Sequence, residues 1–368
     1  MNNELFYGIA LRLIKGIGDA HARMLISYAG SAERLFTLPP ARLKNINGVG
    51  PKLADVFKDT YEVLVRAEQE VKFIERHKIE TLFYYDKRYP QRLLNCSDAP
   101  LFLFCKGHFN FNRERFINMV GTRHATQYGR DLTERLLADL APYHIHLVSG
   151  LAYGIDICAH KAALKYDMQN IAVLAHGLDR IYPRQHKGIT DKLQENGGLV
   201  TDFLSNTNPD RQNFPSRNRI VAGMTDATIV IESAIAGGAL ITADIANSYN
   251  RDVFAFPGRV QDEFSAGCHQ LIKDHKANLV TSAQDIIEFM SWDIKEDKKK
   301  KNIQPQLFIE LNEQEKQIYG VISAKEKISV DELTMQIPLP QSTIAAVLLQ
   351  LEMKGIITTL PGKMYRIV

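Results

Sequence analysis

Short apolar runs alternate with helical periodicity along the middle of the chain. After about residue 78, β-branched and aromatic stretches recur, and amphipathic segments lie between most of the later ones. Such alternation over about 200 residues predicts an α/β fold, Rossmann-like, with a mostly parallel sheet covered on both faces. The predicted strands are 81–85, 101–105, 116–120, 145–149, 171–175, 199–203, 227–232, 252–256 and 278–281, with helices at 127–140, 155–165 and 240–250.

The N-terminal region carries a helical pattern interrupted by two turns of the form polar–Gly–apolar–Gly, at 15–18 and 47–50. Glycine permits the tight turn, and free backbone N–H groups at the start of the following helix suit a phosphate. The pair resembles a helix-hairpin-helix (SAM-like) unit, in which Lys52 would contact a nucleic-acid backbone. The alternative is that these glycines only connect packed helices.

The C-terminal region follows a polar, lysine-rich stretch that reads as a solvated linker. Helical patterns at 313–322, 330–337 and 341–354, followed by two β-like runs within 355–367, predict a winged helix. Its candidate recognition helix, 342–352, holds no Lys or Arg, so we expect a protein-contact or packing module rather than a reader of duplex DNA. The predicted domains are 1–76 (helix-hairpin-helix), 77–293 (Rossmann-like), 294–306 (linker) and 307–368 (winged helix).

Composition narrows the class of protein. The 368 residues include four cysteines without C-x-x-C spacing, which excludes a zinc ribbon, a redox dithiol and a disulfide scaffold. No apolar run approaches the roughly 18–20 residues of a membrane span, and no signal peptide is recognisable, so a cytoplasmic protein without membrane contact is expected. The net charge of +3 is nearly neutral, so a nucleic-acid partner would require basic groups gathered on one face.

Glycines and arginines gather in the loops that follow the predicted strands. Open α/β sheets bind ligands at the carboxyl ends of their strands, so these loops predict a shared phosphate-binding surface. For Arg217 and Arg219 the alternative is a structural ion pair with Asp226 or Glu232. The loops are 120–123, 149–156, 177–184, 214–219 and 237–243.

Familiar cofactor and catalytic motifs are missing from the sequence. It has no G-x-G-x-x-G at a strand–helix joint, no G-x-x-x-x-G-K-[ST] and no G-x-S-x-G, so no cofactor is expected. The pair His144 and His146 reads as a surface turn rather than a metal site. Of the carboxylates near the predicted pocket, Asp156 suits a helix cap as well as it suits a catalyst.

The order of these motifs resembles the DNA-processing protein A (DprA, also Smf) family, and the resemblance spans nearly the whole chain. It implies a protein that is not an enzyme. Such a protein binds single-stranded DNA in natural transformation of competent cells, protects that DNA, and helps to load the recombinase RecA. The Rossmann-like domain would carry the DNA site and form a homodimer. The matching segments are 120–123, 149–156, 177–184, 214–219, 238–243 and 256–258.

Carried over by position, Arg123 and Arg184 are the principal basic contacts to DNA. The sequence departs from the family pattern at Gly237, usually Ser, and at Tyr153, usually small or basic. The other residues assigned to the DNA pocket are Gly121, Thr122, Ser149, Gly150, Gly154, Arg217, Asn218, Arg219, Gly238 and Thr242, and the expected dimer interface holds His269, Leu271, Ile272 and Leu279.

Two further hypotheses remain beside this one. A nucleotide-acting hydrolase of the phosphoribohydrolase type would use Glu232 as its catalytic acid or base, but the Pro-Gly-Gly-x-Gly-Thr loop of those enzymes is absent. A pure interaction adaptor would use neither chemistry.

The hypothesis of single-stranded DNA binding requires a cationic groove with stacking faces, for which Tyr153, Tyr182 and Phe214 are the aromatic candidates.

Overall fold

The chain divides into two compact units, Met1–Ile294 and Lys295–Val368. The computed structural model describes residues 3–43, 46, 49–50, 55–57, 59–292, 311–325, 327–354, 356–360 and 364–367. Lys52 and the predicted linker 294–306 lie outside the described residues. No helix in the described ranges combines the length and apolarity needed to cross a bilayer.

Among the described residues, five helices with defined bounds open the first unit: α1 (Asn3–Leu13), α2 (Asp19–Ala29), α3 (Ala32–Thr37), α4 (Pro40–Leu43) and α5 (Tyr61–Arg76). Gly30 ends α2 in the left-handed conformation, and the Ser31 hydroxyl caps α3 by accepting a hydrogen bond from the Arg34 backbone N–H. The buried side chains of Ile9 and Val71 belong to one core with Phe102 of the sheet. The helices therefore pack against one edge of that sheet.

Nine strands form one sheet in the order β1-β2-β6-β5-β4-β3-β7-β8-β9. In the spatial run β6-β5-β4-β3-β7-β8-β9, each of the seven strands pairs with its neighbour in parallel. At the β6 end, β2 pairs antiparallel with β6, and β1 pairs antiparallel with β2. Each lies where the hydrophobic pattern predicts a strand, and the predicted mostly parallel sheet is confirmed. The strands are β1 (Glu80–Phe83), β2 (Phe102–His108), β3 (Phe116–Val120), β4 (His146–Ser149), β5 (Asn170–Val173), β6 (Gly197–Thr201), β7 (Ala227–Val230), β8 (Asp252–Ala255) and β9 (Asn278–Leu279).

Helices cover both faces of the sheet because its side chains alternate in direction. Ile117 and Leu147 face a core that α7 and α8 complete, whereas their neighbours Phe116 and Val148 face Ile220 of α10. The helices are α6 (Gln91–Leu94), α7 (Gln127–Leu140), α8 (Ile155–Lys165), α9 (Lys187–Leu193), α10 (Asn213–Gly223), α11 (Gly238–Ser248), α12 (Ala266–Lys273) and α13 (Ala283–Phe289).

The strand order reverses at β3. From β3 the chain runs outward through β4, β5 and β6, and it later returns to add β7 on the other side of β3. The loops after β3 and β7 therefore diverge over opposite faces and leave a crevice at the carboxyl ends of these two strands. In open α/β sheets this switch point is where ligands bind.

The second unit contains α14 (Glu313–Ser323), β10 (Ile328–Ser329), α15 (Val330–Gln336), α16 (Gln341–Met353), β11 (Ile357–Leu360) and β12 (Met364–Ile367). Asn312 and Glu315 form a reciprocal capping box at the start of α14. The apolar side chains at helical spacing along α16 are buried and belong to the core of this unit. They are Ile344, Val347, Leu348 and Leu351.

Candidate functional site

A cleft of about 720 Å³ lies at the switch point, and we call it the strand-end cleft. It is lined by residues of the loop after β3 (120–123), of the loop before α10 and its first turns (209–218), and of the turn before α11 and its first turn (234–242), together with Ala152, Asp156 and Tyr182. Three separate segments of the chain thus meet at the carboxyl ends of β3 and β7. The cleft brings together seven of the predicted site residues: Gly121, Thr122, Arg123, Arg217, Asn218, Gly238 and Thr242.

Arg123 supplies positive charge to the strand-end cleft. Its side chain is exposed, and its guanidinium carbon lies 5.0 Å from the centroid of the Phe214 ring. Among the described residues no carboxylate pairs with Arg123 or with the exposed Arg211 on the same wall. Both charges are therefore free to meet a phosphate.

Arg217 lies on the floor of the cleft and is buried. Its guanidinium donates to the backbone oxygens of Gly150 and of Val173, the second at 2.6 Å, and its Nε donates to Oδ1 of Asn218 at 3.0 Å. Burial lowers the pKa of Arg217 to about 10, so the group remains charged at neutral pH. Arg217 therefore holds the loops together and adds a fixed positive charge beneath the cleft.

Asp156, in the first turn of α8, is buried beside Arg217. Its carboxylate accepts hydrogen bonds from the backbone N–H groups of Gly150 at 3.1 Å and Ala152 at 3.4 Å. Burial raises the pKa of Asp156, and the positive charge of Arg217 opposes that shift. These bonds fix the loop between β4 and α8, so the role of Asp156 is structural. It is not the predicted helix cap, because the N-cap position of α8 is Gly154 and no side chain caps this helix.

Two glycines of this loop are required by close approach. Gly154 has φ +75°, and a Cβ atom there would lie 2.0 Å from the carbonyl oxygen of Thr122. A Cβ at Gly150 would lie 2.3 Å from the Arg217 guanidinium. Their contribution to the site is to let the two loops and the buried arginine pack against each other.

Three aromatic side chains stand beside the cleft. Tyr153 and Tyr182 are 40% and 42% exposed, and both line a smaller pocket with Phe214 and Arg123. The backbone N–H of Tyr182 donates to Nε2 of the buried His176 at 3.2 Å, which anchors the loop that carries it. Exposed rings next to free cations are the combination that single-stranded nucleic acids require.

The amino end of α11 forms the opposite wall. Gly237 is the N-cap residue, Gly238 begins the helix, and the buried Thr242 lies one turn further along. The first N–H groups of a helix have no intrahelical acceptor and carry partial positive charge. This wall therefore adds backbone donors to the two free arginines.

Arg184 lies outside the lining of the strand-end cleft. It is exposed at the first residue of a 3-10 turn, Arg184–His186, two positions after Tyr182. The structure places it on the same loop as a residue of the cleft, but not in the cleft.

Ser149 and Arg219 do not occupy the positions predicted for them. The Ser149 hydroxyl is fully buried and donates to the backbone oxygen of Met119 at 2.8 Å, so it faces a neighbouring strand and not a ligand. Arg219 points away from the cleft, because residues two apart on a helix do not share a face. It pairs instead with Asp19 of α2 at 3.0 Å and with Asp202 after β6.

The alternative hypothesis of an ion pair was thus right in kind for Arg219 but wrong in its partners. Asp226 binds the Nε of Arg92 at 2.6 Å. We call the group formed by Arg12, Asp19, Asp202 and Arg219 the junction cluster, in which Arg12 pairs with Asp19 at 2.9 Å. It uses the start of α2, so the first predicted glycine turn leads into a contact with the sheet domain.

Glu232 follows β7 and is buried, where its carboxylate accepts hydrogen bonds from the backbone N–H of Thr126 at 3.0 Å and from the Thr126 hydroxyl. Thr126 caps α7 by accepting from the backbone N–H of Gly129. Glu232 therefore ties the end of β7 to the start of α7. This is a structural role, and it argues against the hydrolase hypothesis.

His146 was predicted to lie in a surface turn, and that prediction is wrong. It is the first residue of β4, and its side chain is buried. Burial lowers the pKa of His146 to about 4, with a smaller contribution from Arg113. Within the described ranges no group of three metal-ligating side chains occurs.

The residues predicted for a dimer interface divide into two sets. Leu271 of α12 is buried in the chain's own core, so it cannot supply an interface side chain, while Ile272 packs against that core. His269 contacts the backbone oxygen of Gly258 through Nε2 at 3.0 Å. Leu279 is 54% exposed on β9, the edge strand of the sheet, and remains available to a partner.

Arg211 of the cleft and Asp19 and Asp202 of the junction cluster were missed. A signal for Arg211 existed, because it lies three residues before the Phe214 motif in a polar loop. None existed for the pairing of Asp19 with Arg219, which lie 200 residues apart along the chain.

The doubly wound sheet with a cationic crevice at its switch point defines the class of the protein, which is Rossmann-like. The family model for DNA recombination-mediator protein A matches residues 80–291, more than half of the chain, and that for the DprA winged helix domain matches residues 304–363. The chain therefore belongs to the DprA family of DNA recombination mediators, and its role is DNA processing in recombination.

Known relatives agree with this assignment. The DNA processing protein DprA of Streptococcus pneumoniae is 36% identical over 232 residues, 63% of this chain and 80% of that protein. The X-ray structure of the DprA from that organism matches with a TM-score of 0.68 and 31% identity, over 78% of this chain and 98% of the other. A structure of DNA processing protein A from Helicobacter pylori, described for its single-stranded DNA binding mode, matches with a TM-score of 0.53 and 26% identity, over 58% and 96%.

Proposed function

We propose that this chain binds single-stranded DNA in the strand-end cleft, protects that DNA, and helps to load RecA during natural transformation. The observation that carries the DNA site is the convergence of unpaired Arg123 and Arg211 with exposed aromatic rings at the switch point. Phosphates would meet the arginines and the amino end of α11, while bases stack on Tyr182 and Phe214. Binding to RecA is supported by the family's description as a recombination mediator.

The protein would work as a binder and not as an enzyme. The buried carboxylates nearest the cleft, Asp156 and Glu232, are engaged by backbone N–H groups and by Thr126, which leaves neither placed to activate water. No cofactor is needed for binding of this kind. Because its DNA and RecA partners act in the cytoplasm, we assign the protein to that compartment.

The test is a salt titration of wild type and Arg123→Glu against single- and double-stranded oligonucleotides of one length. Wild type should prefer the single strand. Loss of one phosphate contact should flatten the plot of log K against log salt by about 0.7 and weaken binding by about tenfold or more. Arg184→Glu tests the second predicted contact in the same way. Weaker binding with an unchanged slope would show that the arginine supports the fold rather than the DNA.

We also propose a homodimer through the edge strand β9, since an exposed leucine on an unpaired edge is a ready partner surface. In a two-fold interface one charge is met twice, so Leu279→Glu should give monomers. Light scattering should report about twice 41.6 kDa for wild type. A wild-type mass equal to one chain at micromolar concentration would contradict the dimer.

A further inference from the structure

A second cationic groove lies beside the strand-end cleft, between the first turns of α7 and α8. It has a volume of about 490 Å³, and we call it the α7–α8 groove. Its lining residues include Arg123, His124, Arg130, Tyr153 and Cys158. Arg123 and Tyr153 also line the pockets of the proposed DNA site, so the two depressions share a charged and an aromatic side chain.

The loop after β3 and the start of α8 are in direct contact at this point. The backbone N–H of Ile155 donates to the carbonyl oxygen of Thr122 at 3.1 Å, and Gly154 allows that approach. The loop that carries Arg123 and His124 is therefore held over the amino end of α8. The groove begins where the strand-end cleft ends.

Helical periodicity places two cations beside this groove, and one of them, Arg130, is part of its lining. Further from the strand ends, Glu134 of α7 and Lys165 of α8 form an ion pair at 2.5 Å. This pair shows which sides of the two helices face each other. One turn nearer the strand ends, the corresponding positions are Arg130 and Lys161, and both are exposed. Burial raises the pKa of the groove residue Cys158, and the positive charges of Arg130 and Lys161 oppose that shift, so both cations lie close to Cys158.

Neither cation is neutralised within the described part of the chain. The Arg130 guanidinium donates to the backbone oxygen of Ala125 at 2.5 Å and to the amide oxygen of Gln127, both uncharged acceptors. The nearby Asp131 is engaged by the side chain of Gln127 at 2.7 Å. No ion pair involves Lys161 among the described residues. Such an arrangement is unfavourable in the free protein and becomes favourable when an anion lies between the helices.

We propose that the α7–α8 groove is a phosphate track that continues the path of single-stranded DNA beyond the strand-end cleft. The inference rests on the proposed function. A strand that meets Arg123 turns past the exposed ring of Tyr153, and its next phosphates lie between Arg130 and Lys161. Because the track binds phosphates and not base edges, it adds affinity that depends on the length of the strand and on salt, and not on base sequence.

The test compares a short oligothymidylate of about 5 nucleotides, enough for the cleft, with a long one of about 20 nucleotides. The double variant Arg130→Gln with Lys161→Gln removes both cations of the track. With the long strand the slope of log K against log salt should flatten by about 1.4, which is two phosphate contacts. With the short strand the slope and the affinity should remain those of wild type.

Lys165→Gln is the matched control, since it removes the same charge one turn away, from a lysine that Glu134 already neutralises. It should leave both slopes unchanged. The thermal midpoint of the double variant should equal that of wild type because both side chains are exposed. An unchanged slope with the long strand overturns the track.

Three other outcomes distinguish this inference from the proposed function. If Arg123→Glu weakens binding to both strands while the double variant binds like wild type, the DNA site stands and the track is wrong. If wild type fails to bind either strand, both fail. If the double variant keeps its DNA slope but loses binding to a polyglutamate peptide, the groove belongs to an acidic protein partner, and the DNA track is overturned.

Discussion

Arg217 and Arg219 are two residues apart on α10, yet they belong to regions with opposite electrostatic designs. Arg217 lies under the strand-end cleft, where the exposed cations Arg123 and Arg211 have no carboxylate partner among the described residues. Arg219 lies in the junction cluster, where each cation meets an acidic side chain within 3.0 Å. One helix thus separates a surface with unneutralised charge from one in which charge is balanced.

The difference shows that residue type alone does not identify a binding arginine. A cation that is already paired and mostly buried contributes to the fold, because its charge is compensated and its donors are used. A cation left without a partner raises the free energy of the free protein slightly and stabilises a complex with an anion. The presence or absence of a carboxylate partner therefore distinguishes the arginines of the junction cluster from those of the strand-end cleft.

The largest effect is expected from Arg219→Met. Removing the guanidinium leaves the buried carboxylate of Asp202 without its partner, so the free energy of unfolding should fall by about 3–5 kcal/mol. Urea denaturation measures the change. Arg123→Met is the matched control, and because that side chain is exposed its stability should change by less than about 0.5 kcal/mol.

For DNA binding the order of the two variants should be reversed, with the larger effect from Arg123→Met. Folded Arg219→Met should keep the wild-type salt slope for single-stranded DNA, while Arg123→Met should flatten it by about 0.7. If Arg219→Met were fully stable and lost the salt slope instead, the junction would be part of the DNA site.

Acidic pH should lower the stability of the protein without changing the charge of the arginines in the strand-end cleft. Burial lowers the pKa values of His146 and His160 to about 4, below the usual value of 6.5. For each histidine, the contribution to stability is fully present above about pH 6.5 and is lost as the pH falls toward 4. Below pH 4 the loss is about 3 kcal/mol for the fully buried His160 and smaller for His146. The arginines stay charged throughout, so the folded fraction should decline while its DNA affinity does not.

His160 contributes to this loss through its burial, which lowers its pKa, whereas its contact with Asn170, Nδ1 to Oδ1 at 2.6 Å, opposes that shift. His160→Gln should flatten the pH dependence of the urea midpoint between pH 6.5 and 4, even if it lowers stability at pH 7. A pH profile identical to that of wild type would mean that His160 does not titrate in this range.

Glu232→Gln tests the carboxylate beside the crevice with a smaller effect. The substitution keeps the shape of the side chain and weakens its bonds to Thr126, so we expect a loss of about 1–2 kcal/mol and unchanged DNA affinity. Incubation of the wild-type protein with nucleoside monophosphates should release no free base. Base release that Glu232→Gln abolishes would support the hydrolase hypothesis.

Much of the fold follows from local patterns, because strand and helix periodicities are properties of short segments. The sheet, α7 and α8 lie where apolar spacing predicts them, and topology alone then brings the loops 120–123, 214–219 and 237–243 into one cleft. Relations between distant segments were not predictable. Nothing near Arg219 in sequence indicates Asp19, and Leu271 has the same apolar character whether it faces a partner or its own core.

The smallest effect on DNA binding is expected from removal of the second unit. The outward side chains of α16 include Ala346, Leu349 and Gln350, which offer no cation to a duplex, and Lys354 is paired with Glu315 at 2.7 Å. Arg366 on β12 is the exposed cation of the described wing. Truncation after Asp293 falls at the boundary between the two compact units, so it should leave a folded protein with nearly full affinity for single-stranded DNA. The fragment 307–368 should bind duplex DNA only weakly at about 150 mM salt, because too few of its charges can reach phosphates. Sub-micromolar, sequence-dependent binding of a duplex by that fragment would show that α16 recognises DNA through its uncharged face, and a large loss of single-strand affinity on truncation would extend the DNA site beyond the sheet domain.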